Sequence, residues 1–194
     1  MQHTGFDGAS WLNEPPRWSV DDGKLTLVTA GDTDFWRETY YGFVHDNGHA
    51  LTLPVDDGFT AEVRVRADFR NKFDQAGMFL ELDGERWLKC GVELTDGELF
   101  LSVVVTDRRS DWSVSQPFAG LTDFRLRMTV ESGAIRIHAS KDGDHWTMLR
   151  LATFPAAERY RVGVMACSPI TGGLEVTFTD FRIGPASTEP LHAD

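Results

Sequence analysis

The sequence predicts an all-β fold, built as a two-sheet antiparallel jelly-roll sandwich. Three observations support this: apolar and polar residues alternate with a period of two, Asp-Gly and Asn-Gly pairs separate the alternating segments, and helical periodicity is absent. The chain has 194 residues, 41% of them hydrophobic, which suits one large β domain. We predict about a dozen short strands in a single domain over residues 10–184, with loose ends at residues 1–9 and 185–194.

Each predicted strand is amphipathic. In residues 61–68 Ala and Val alternate with charged residues, and in residues 124–130 Phe, Leu, Met and Val alternate with Arg and Thr. One face of each strand is therefore expected to lie in the core and the other in solvent. Similar patterns occur at residues 135–140, 146–151, 160–167 and 174–181.

Turn dipeptides place the connections between these strands. Asn47-Gly48 predicts a type I′ hairpin that joins residues 40–46 to residues 49–53 and sets Asp46 opposite His49. Five Asp-Gly pairs predict further turns. They are Asp22-Gly23, Asp57-Gly58, Asp83-Gly84, Asp96-Gly97 and Asp142-Gly143.

Charge and composition exclude several classes of function. The chain carries 19 Lys and Arg against 30 Asp and Glu, a net charge of −11, so nucleic acids and anionic membranes are not expected as partners. We expect a cytoplasmic protein, because no apolar run approaches a membrane span and the N-terminus lacks the pattern of a signal peptide. An extracellular protein whose leader has been removed stays open as the alternative. Cys90 and Cys167 lie in apolar runs, which predicts two unbridged core thiols and favours them over a disulfide framework or a zinc site. We expect no cofactor.

The outward faces of two neighbouring strands are neither purely charged nor purely apolar. In residues 86–94 the alternation sets Trp87, Lys89 and Glu93 on one face, around a gap at Gly91. On the preceding strand, residues 75–82, the same face carries Gln, Gly, Phe and Glu. A reversal at the intervening Asp-Gly pair would place the two mixed faces side by side.

Seven short blocks along the chain form a distinctive set. They read DFWRET (34–39), YGF (41–43), DNGH (46–49), DQAG (74–77), WLKCGVE (87–93), SDWS (110–113) and ACSP (166–169). Together they resemble one known family, the regulation-of-enolase type of concanavalin-A-like protein. Their order and spacing over nearly the whole chain are specific, although each block alone is weak. The resemblance implies a lectin/glucanase-like sandwich and, through the family name, a link to glycolytic regulation in one fungal member.

In this fold the polar sheet face is usually concave, and aromatic rings beside hydrogen-bonding groups are how proteins bind sugars. We therefore predict non-catalytic binding of a carbohydrate or sugar derivative in an aromatic-lined groove. The candidate rings are Trp36, Tyr41, Trp87 and Trp112, and the candidate polar contacts are Arg37, His49, Gln75, Lys89, Glu93, Asp111 and Ser113. Structural roles stay open: Trp36 and Trp112 could fill core gaps, and Lys89 and Glu93 could form an ion pair on one strand face.

Two other functions remain open, a regulatory protein-interaction module and a glycoside hydrolase or lyase. Glu81, Asp83 and Glu85 match the Glu-x-Asp-x-Glu pattern of sandwich glucanases, but a turn at the Asp-Gly pair would destroy their common direction. The better acid/base pair is Glu93 with Asp74 or Asp111. We expect Lys89 to lower the pKa of Glu93 and keep it ionised, which suits hydroxyl binding better than acid catalysis.

Metal binding has weak support in the sequence. His45 and His49 have a ligand-like spacing, but the alternation would send them to opposite faces, so no metal site is expected there. The Asp-rich loops at residues 21–22, 56–57 and 142–144 could supply oxygens to calcium or simply solvate turns.

Overall fold

The computed structural model describes residues 2–116 and 118–189, and every regular element assigned within them is a β-strand. In chain order the strands are β1 (His3–Thr4), β2 (Ser10–Leu12), β3 (Arg17–Asp21), β4 (Lys24–Val28), β5 (Phe35–Arg37), β6 (Val44–Asp46), β7 (His49–Asp56), β8 (Phe59–Ala67), β9 (Gln75–Asp83), β10 (Arg86–Thr95), β11 (Glu98–Asp107), β12 (Arg109–Ser115), β13 (Asp123–Glu131), β14 (Ala134–Ser140), β15 (Thr147–Thr153), β16 (Arg159–Cys167) and β17 (Glu175–Pro185). The described part of the chain contains no helix long and apolar enough to span a membrane.

Two large antiparallel sheets form the sandwich. The eight-stranded sheet has the order β15-β14-β13-β8-β17-β4-β3, with β1 added beside β17. The seven-stranded sheet has the order β12-β11-β10-β9-β16-β7-β2, and β5 pairs with β6 in a separate two-stranded sheet. Strands adjacent in the sequence often lie in different sheets, so the chain crosses repeatedly between the two layers.

The alternation predicted for the strands is confirmed. Val63 and Val65 of β8 and Leu126 of β13 are at most 1% exposed in the main core between the sheets. Their neighbour Arg64 points outward and pairs with Asp123 at 2.8 Å. Burial of the inner faces therefore provides the hydrophobic stabilisation, whereas the outer face of the eight-stranded sheet is charged.

The hairpin predicted at Asn47-Gly48 is wrong. β6 pairs with β5 and β7 with β2 and β16, and neither turn residue has a positive φ. Asn47 Oδ1 instead accepts a hydrogen bond from the Asp34 amide at 3.0 Å, and the Gly48 amide donates to the Asp34 carbonyl at 2.9 Å. A Cβ at position 48 would lie 2.4 Å from the Phe35 ring and 2.7 Å from Cys167 Sγ, so glycine is needed here for close approach.

Other turn predictions are confirmed. Asp22-Gly23 and Asp96-Gly97 have positive φ at both residues and close the β3–β4 and β10–β11 hairpins. β9 and β10 pair on either side of the Asp83-Gly84 turn, as expected. Asp57-Gly58 differs, because it joins β7 and β8, which belong to opposite sheets.

The chain ends are more ordered than expected. β1 pairs with β17, and Phe6 is buried and stacks on Phe181 with ring centroids 5.0 Å apart. At the other end the Ser187 amide donates to Thr60 Oγ1 at 2.8 Å, and the Glu189 carboxylate pairs with Arg127. The expectation of loose ends fails here, because a few residues at each end form strand pairs, hydrogen bonds or ion pairs with the eight-stranded sheet. Residues 1 and 190–194 lie outside the described part.

Candidate functional site

The β5–β6 pair, which we call the ribbon, covers the outer face of the seven-stranded sheet. The Phe35 ring centroid lies 4.4 Å from that of Phe79 and 5.8 Å from that of Trp87. These rings belong to a second apolar cluster, formed by Phe35, Trp36, Ala50, Phe79, Trp87, Val104, Met165 and Cys167. The ribbon is thus fixed by aromatic packing, and the polar side chains of the sheet face lie at its margin.

A cavity of about 410 Å³ opens at this margin, and we call it the ribbon cavity. Its wall is largely aromatic and aliphatic, while its floor is polar. It is lined by Asp32, Asp34, Trp36, Tyr41, Phe43, His45, Lys72, Phe73, Gln75, Lys89, Glu93, Val104, Trp112, Pro169 and Ile170. The volume is within the range of small-molecule sites, roughly 300–1,000 Å³.

The floor of the cavity is a buried ion pair with amide support. Lys89 Nζ donates to Asp34 Oδ1 at 2.6 Å and to Gln75 Oε1 at 2.8 Å. The register places Gln75 opposite Glu93 and Gly77 opposite Gly91. Because Gly91 is the residue between Lys89 and Glu93 on this strand face, no side chain separates these two. Asp34 Oδ1 also accepts the Phe35 amide at 2.8 Å, which fixes the carboxylate on the ribbon.

Burial and neighbouring charges set the ionisation of this floor. Burial alone would lower the pKa of Lys89, but Asp34, and to a lesser degree Glu93, outweigh it and raise that pKa, so Lys89 stays protonated. Burial raises the pKa of Glu93, and Lys89 and a hydrogen bond with Ser102 offset this only in part. The expectation that Lys89 lowers the pKa of Glu93 below its ordinary value is therefore wrong, because Lys89 already pairs with Asp34 and Glu93 is desolvated.

Aromatic rings form the wall of the cavity. Trp112 Nε1 donates to Ser102 Oγ at 2.9 Å, which fixes the indole in the wall of the cavity that Glu93 also lines. On the ribbon side, Tyr41 packs edge-on against Trp36 at 5.7 Å between centroids and stacks on Phe43 at 5.3 Å. Tyr41, Phe43 and Trp112 are 53%, 43% and 39% exposed, so part of each ring is open to a ligand.

The structure brings together six of the residues that the sequence predicted as ligand contacts, and all six line the cavity. They are Trp36, Tyr41, Gln75, Lys89, Glu93 and Trp112. Trp87 shares their sheet face, as the alternation required, but is 2% exposed beneath Phe35 and does not reach the cavity. Its indole is part of the packing that fixes the ribbon.

His49 is also a structural residue. It is 3% exposed, and its Nε2 accepts the Ala30 amide at 3.0 Å. Its Nδ1 lies 2.8 Å from the Asn13 carbonyl, to which it donates. Burial lowers the pKa of His49, opposed by the Asn13 hydrogen bond, and the neutral imidazole bridges two chain segments instead of facing a ligand.

Three further predicted contacts lie outside the cavity. Arg37 pairs with Glu85 at 3.2 Å and fastens the ribbon to the β9–β10 turn. Asp111 and Ser113 both contact Arg150, at 3.1 and 2.8 Å. They flank Trp112 on β12, and because successive strand residues alternate, a Trp112 that faces the cavity turns both neighbours away.

The carboxylates proposed for catalysis are dispersed. Asp74, 1% exposed, accepts backbone amides of the preceding loop through Oδ2 and the Ser168 hydroxyl through Oδ1. Neither Asp74 nor Asp111 lines the cavity with Glu93. Asp83 ends β9 and accepts the amides of Glu85 and Arg86, so the Glu-x-Asp-x-Glu match spans a chain reversal.

Several lining residues escaped the sequence reasoning, and the most important is Asp34. It starts the DFWRET block, but its pairing with Lys89 joins residues 55 positions apart. Phe73 precedes the DQAG block and adopts a φ of +66°, an unusual conformation for a bulky residue. No periodic pattern marks it, since it lies in a loop.

Comparisons with known proteins agree with this architecture. A family model described as a protein of unknown function, DUF1349, matches residues 11–186. The chain is 44% identical over 191 residues to "Regulation of enolase protein 1" of Saccharomyces cerevisiae, across 98% of this chain and 96% of that protein. A crystal structure of a functionally unknown protein from Saccharomyces cerevisiae superposes with a TM-score of 0.93 at 44% identity, covering 95% of this chain and 100% of that one.

More distant structures show the fold alone. A GH43 protein mutant from Bacillus licheniformis is 20% identical with a TM-score of 0.71, covering 95% of this chain and 39% of that one. Lectin I-B4 from Griffonia simplicifolia, in its metal-free form, is 12% identical with a TM-score of 0.58, covering 92% of this chain and 93% of the lectin. The lectin/glucanase-like jelly-roll sandwich predicted from the sequence is thereby confirmed.

Proposed function

The chain belongs to the DUF1349 family of proteins of unknown function, and we propose that its ribbon cavity binds a carbohydrate or sugar derivative without transforming it. The observation that carries the proposal is one cavity that combines exposed aromatic faces with a fixed, buried set of hydrogen-bonding groups. Aromatic faces pack on the C–H faces of a sugar ring, and charged or amide side chains bind its hydroxyls.

The floor is preorganised for this role. The Lys89 ammonium is held by Asp34 and Gln75 at 2.6 and 2.8 Å, so it loses little freedom when a ligand enters. The carboxylate of Glu93 adds an acceptor that burial has already desolvated. Directional polar groups then fix the orientation of a ligand whose affinity comes from the aromatic wall.

A second, larger groove fits this chemistry less well. A groove of about 610 Å³ beside the β7–β8 turn is larger than the ribbon cavity. Among the described residues that line it, the only Trp, Tyr or Phe is Phe59, which is 2% exposed. That groove therefore lacks a stacking face.

Non-catalytic binding is favoured over glycoside cleavage by the placement of the carboxylates. Canonical hydrolysis requires two carboxyl groups on either side of the scissile bond. In the floor of the ribbon cavity Asp34 is engaged by Lys89, and the partners that the sequence suggested for Glu93 lie elsewhere. Glu93 then acts as a hydrogen-bonding group.

The proposal is tested by a thermal-shift screen of monosaccharides, oligosaccharides and sugar phosphates, followed by calorimetry on each hit. Replacing Trp112 by Ala is expected to weaken binding by about tenfold or more, because a stacking face is lost. Trp18→Ala is the matched control, since Trp18 is similarly exposed at 43% but lies outside the cavity. Equal affinities for the two variants, or no hit in the screen, would count against the proposal.

A second candidate function is a regulatory protein-interaction module. The name of the yeast relative refers to regulation of enolase, and the tip of the ribbon presents Tyr40 at 94% exposure beside Phe43 and Val44 at 43% and 46%. Contiguous exposed apolar side chains are typical of interaction surfaces. Tyr40→Ser would separate the two functions, because it should weaken capture of a protein partner while leaving sugar binding intact.

The cytoplasmic location expected from the sequence stays a proposal. Fluorescence microscopy of the tagged full-length chain tests it, and signal in the secretory pathway would contradict it.

A further inference from the structure

The charges of the ribbon cavity do not balance. Its lining holds three carboxylates, Asp32, Asp34 and Glu93, and two ammonium groups, Lys72 and Lys89. Lys89 is committed to Asp34 at 2.6 Å. When Glu93 is ionised, the cavity therefore carries one negative charge in excess.

Asp32 is exposed to solvent, so the carboxylate whose charge is both buried and uncompensated is that of Glu93. Glu93 is 5% exposed, and in the described part of the chain no cationic nitrogen lies within 4.0 Å of it. The Ser102 side chain, which lines the same small pocket as Glu93, is neutral. A buried carboxylate without a cation costs free energy, which a cationic ligand can recover through a charge-assisted hydrogen bond.

The surroundings of Glu93 suit an ammonium group in particular. The Trp112 indole and the Glu93 carboxylate both line the cavity, and Trp112 Nε1 is held by Ser102 Oγ at 2.9 Å, so the cavity presents a fixed aromatic ring and a carboxylate together. A cation placed over an aromatic face is attracted by the ring quadrupole. The cavity already contains such a contact, because Lys72 Nζ lies 4.7 Å from the centroid of the Phe73 ring.

We propose that the preferred ligand of the ribbon cavity is a sugar bearing a free amine, with its ammonium group bound between the Glu93 carboxylate and the Trp112 ring. This inference rests on the proposed function and names the ligand class. The sugar ring packs on the aromatic wall, and its hydroxyls bind Lys89 and Gln75. An N-acetylated or unsubstituted sugar keeps the ring contacts but leaves Glu93 without a cation.

Calorimetry on the wild-type protein with three matched probes, glucosamine, N-acetylglucosamine and glucose, tests the inference without any substitution. The galactose series repeats the comparison with a different hydroxyl configuration. A charge-assisted hydrogen bond predicts that each amine binds about 10- to 100-fold more tightly than its acetylated and unsubstituted counterparts. Equal or weaker binding of the amines would overturn the inference, while measurable binding of the neutral sugars would leave the proposed function standing.

The Glu93→Gln variant tests whether the preference for amino sugars arises from the Glu93 carboxylate. The isosteric amide should reduce the preference for amines to about threefold or less, since the charge term is removed; the loss of a carboxylate acceptor should weaken the binding of all three sugars alike. Asp111→Asn, a carboxylate outside the cavity, should retain the full preference. If no sugar binds but methylammonium does, and Glu93→Gln abolishes that binding, the proposed function fails and amine recognition stands; if none of the probes binds, both fail.

Discussion

Replacement of Lys89 by Met tests the buried ion pair on which the geometry of the site depends. The side chain of Lys89 is 4% exposed and that of Asp34 is 19% exposed, with 2.6 Å between Nζ and Oδ1. Methionine keeps much of the volume and removes the ammonium group. The substitution therefore leaves Asp34 and Glu93 near each other without a cation and Gln75 Oε1 without its donor.

The expected cost is large. Removing one partner of a buried ion pair typically destabilises a protein by about 3–5 kcal/mol, because the other charge stays buried. In a domain of this size a loss of 1 kcal/mol lowers Tm by about 2–4 °C, so we expect Tm to fall by roughly 6–20 °C. Lys89→Met with Asp34→Asn should lose less stability than the two single changes combined, since no buried charge of this pair remains.

Urea unfolding followed by circular dichroism gives the free energy of unfolding for the three variants. Arg159→Met is the control, because the side chains of Arg159 and its partner Asp56 are 71% and 77% exposed, and such pairs contribute at most about 1 kcal/mol. A Lys89→Met protein within about 1 kcal/mol of the wild type, or strictly additive single and double changes, would refute the reasoning.

Three further predictions concern single sites. Gly48→Ala should lower the free energy of unfolding by about 1–3 kcal/mol through overpacking, since the added Cβ would lie 2.4 Å from an aromatic carbon. Gly84→Ala is the control in the same urea titration. It should be close to neutral, because a Cβ at position 84 has nothing within 4 Å. Burial raises the pKa of Glu93 above its ordinary 4.5, so the free energy of unfolding of the wild type should fall as the pH rises from about 4.5 through the raised pKa. Glu93→Gln should lack this fall. Parallel pH profiles for the two proteins would contradict the assignment. Burial raises the pKa of Cys90 to about 12 and also raises that of Cys167. A disulfide reagent at neutral pH should therefore label neither thiol in the native protein and both thiols after denaturation. Rapid labelling of the native protein would show that the site opens.

The sandwich and one face of the site could be predicted because strand alternation is a local property. In β10, Leu88, Cys90 and Val92 lie in the main core while Lys89 and Glu93 lie on the opposite face, as the period of two requires. The pairing of β9 with β10 also followed from sequence, because a two-residue connection leaves no other neighbour. These features depend on residues that are close in the chain.

The ribbon could not be predicted for the opposite reason. Asn47-Gly48 has the chemistry of a hairpin turn, but the packing of Phe35 on the sheet makes it a crossing between layers. That long-range packing buries Trp87 and brings Asp34 to Lys89. The signs of the pKa shifts also depend on this packing, since burial decides that of Glu93 and the long-range pairing with Asp34 decides that of Lys89.

A crystal structure of the protein soaked with the tightest-binding sugar from the screen is the most direct test that the ribbon cavity is the ligand site. We expect the sugar ring against Trp112 or Tyr41, with a polar atom of the ligand within hydrogen-bonding distance of Lys89 or Glu93. Density for the sugar on another surface, with the ribbon cavity unoccupied, would contradict the assignment of the site.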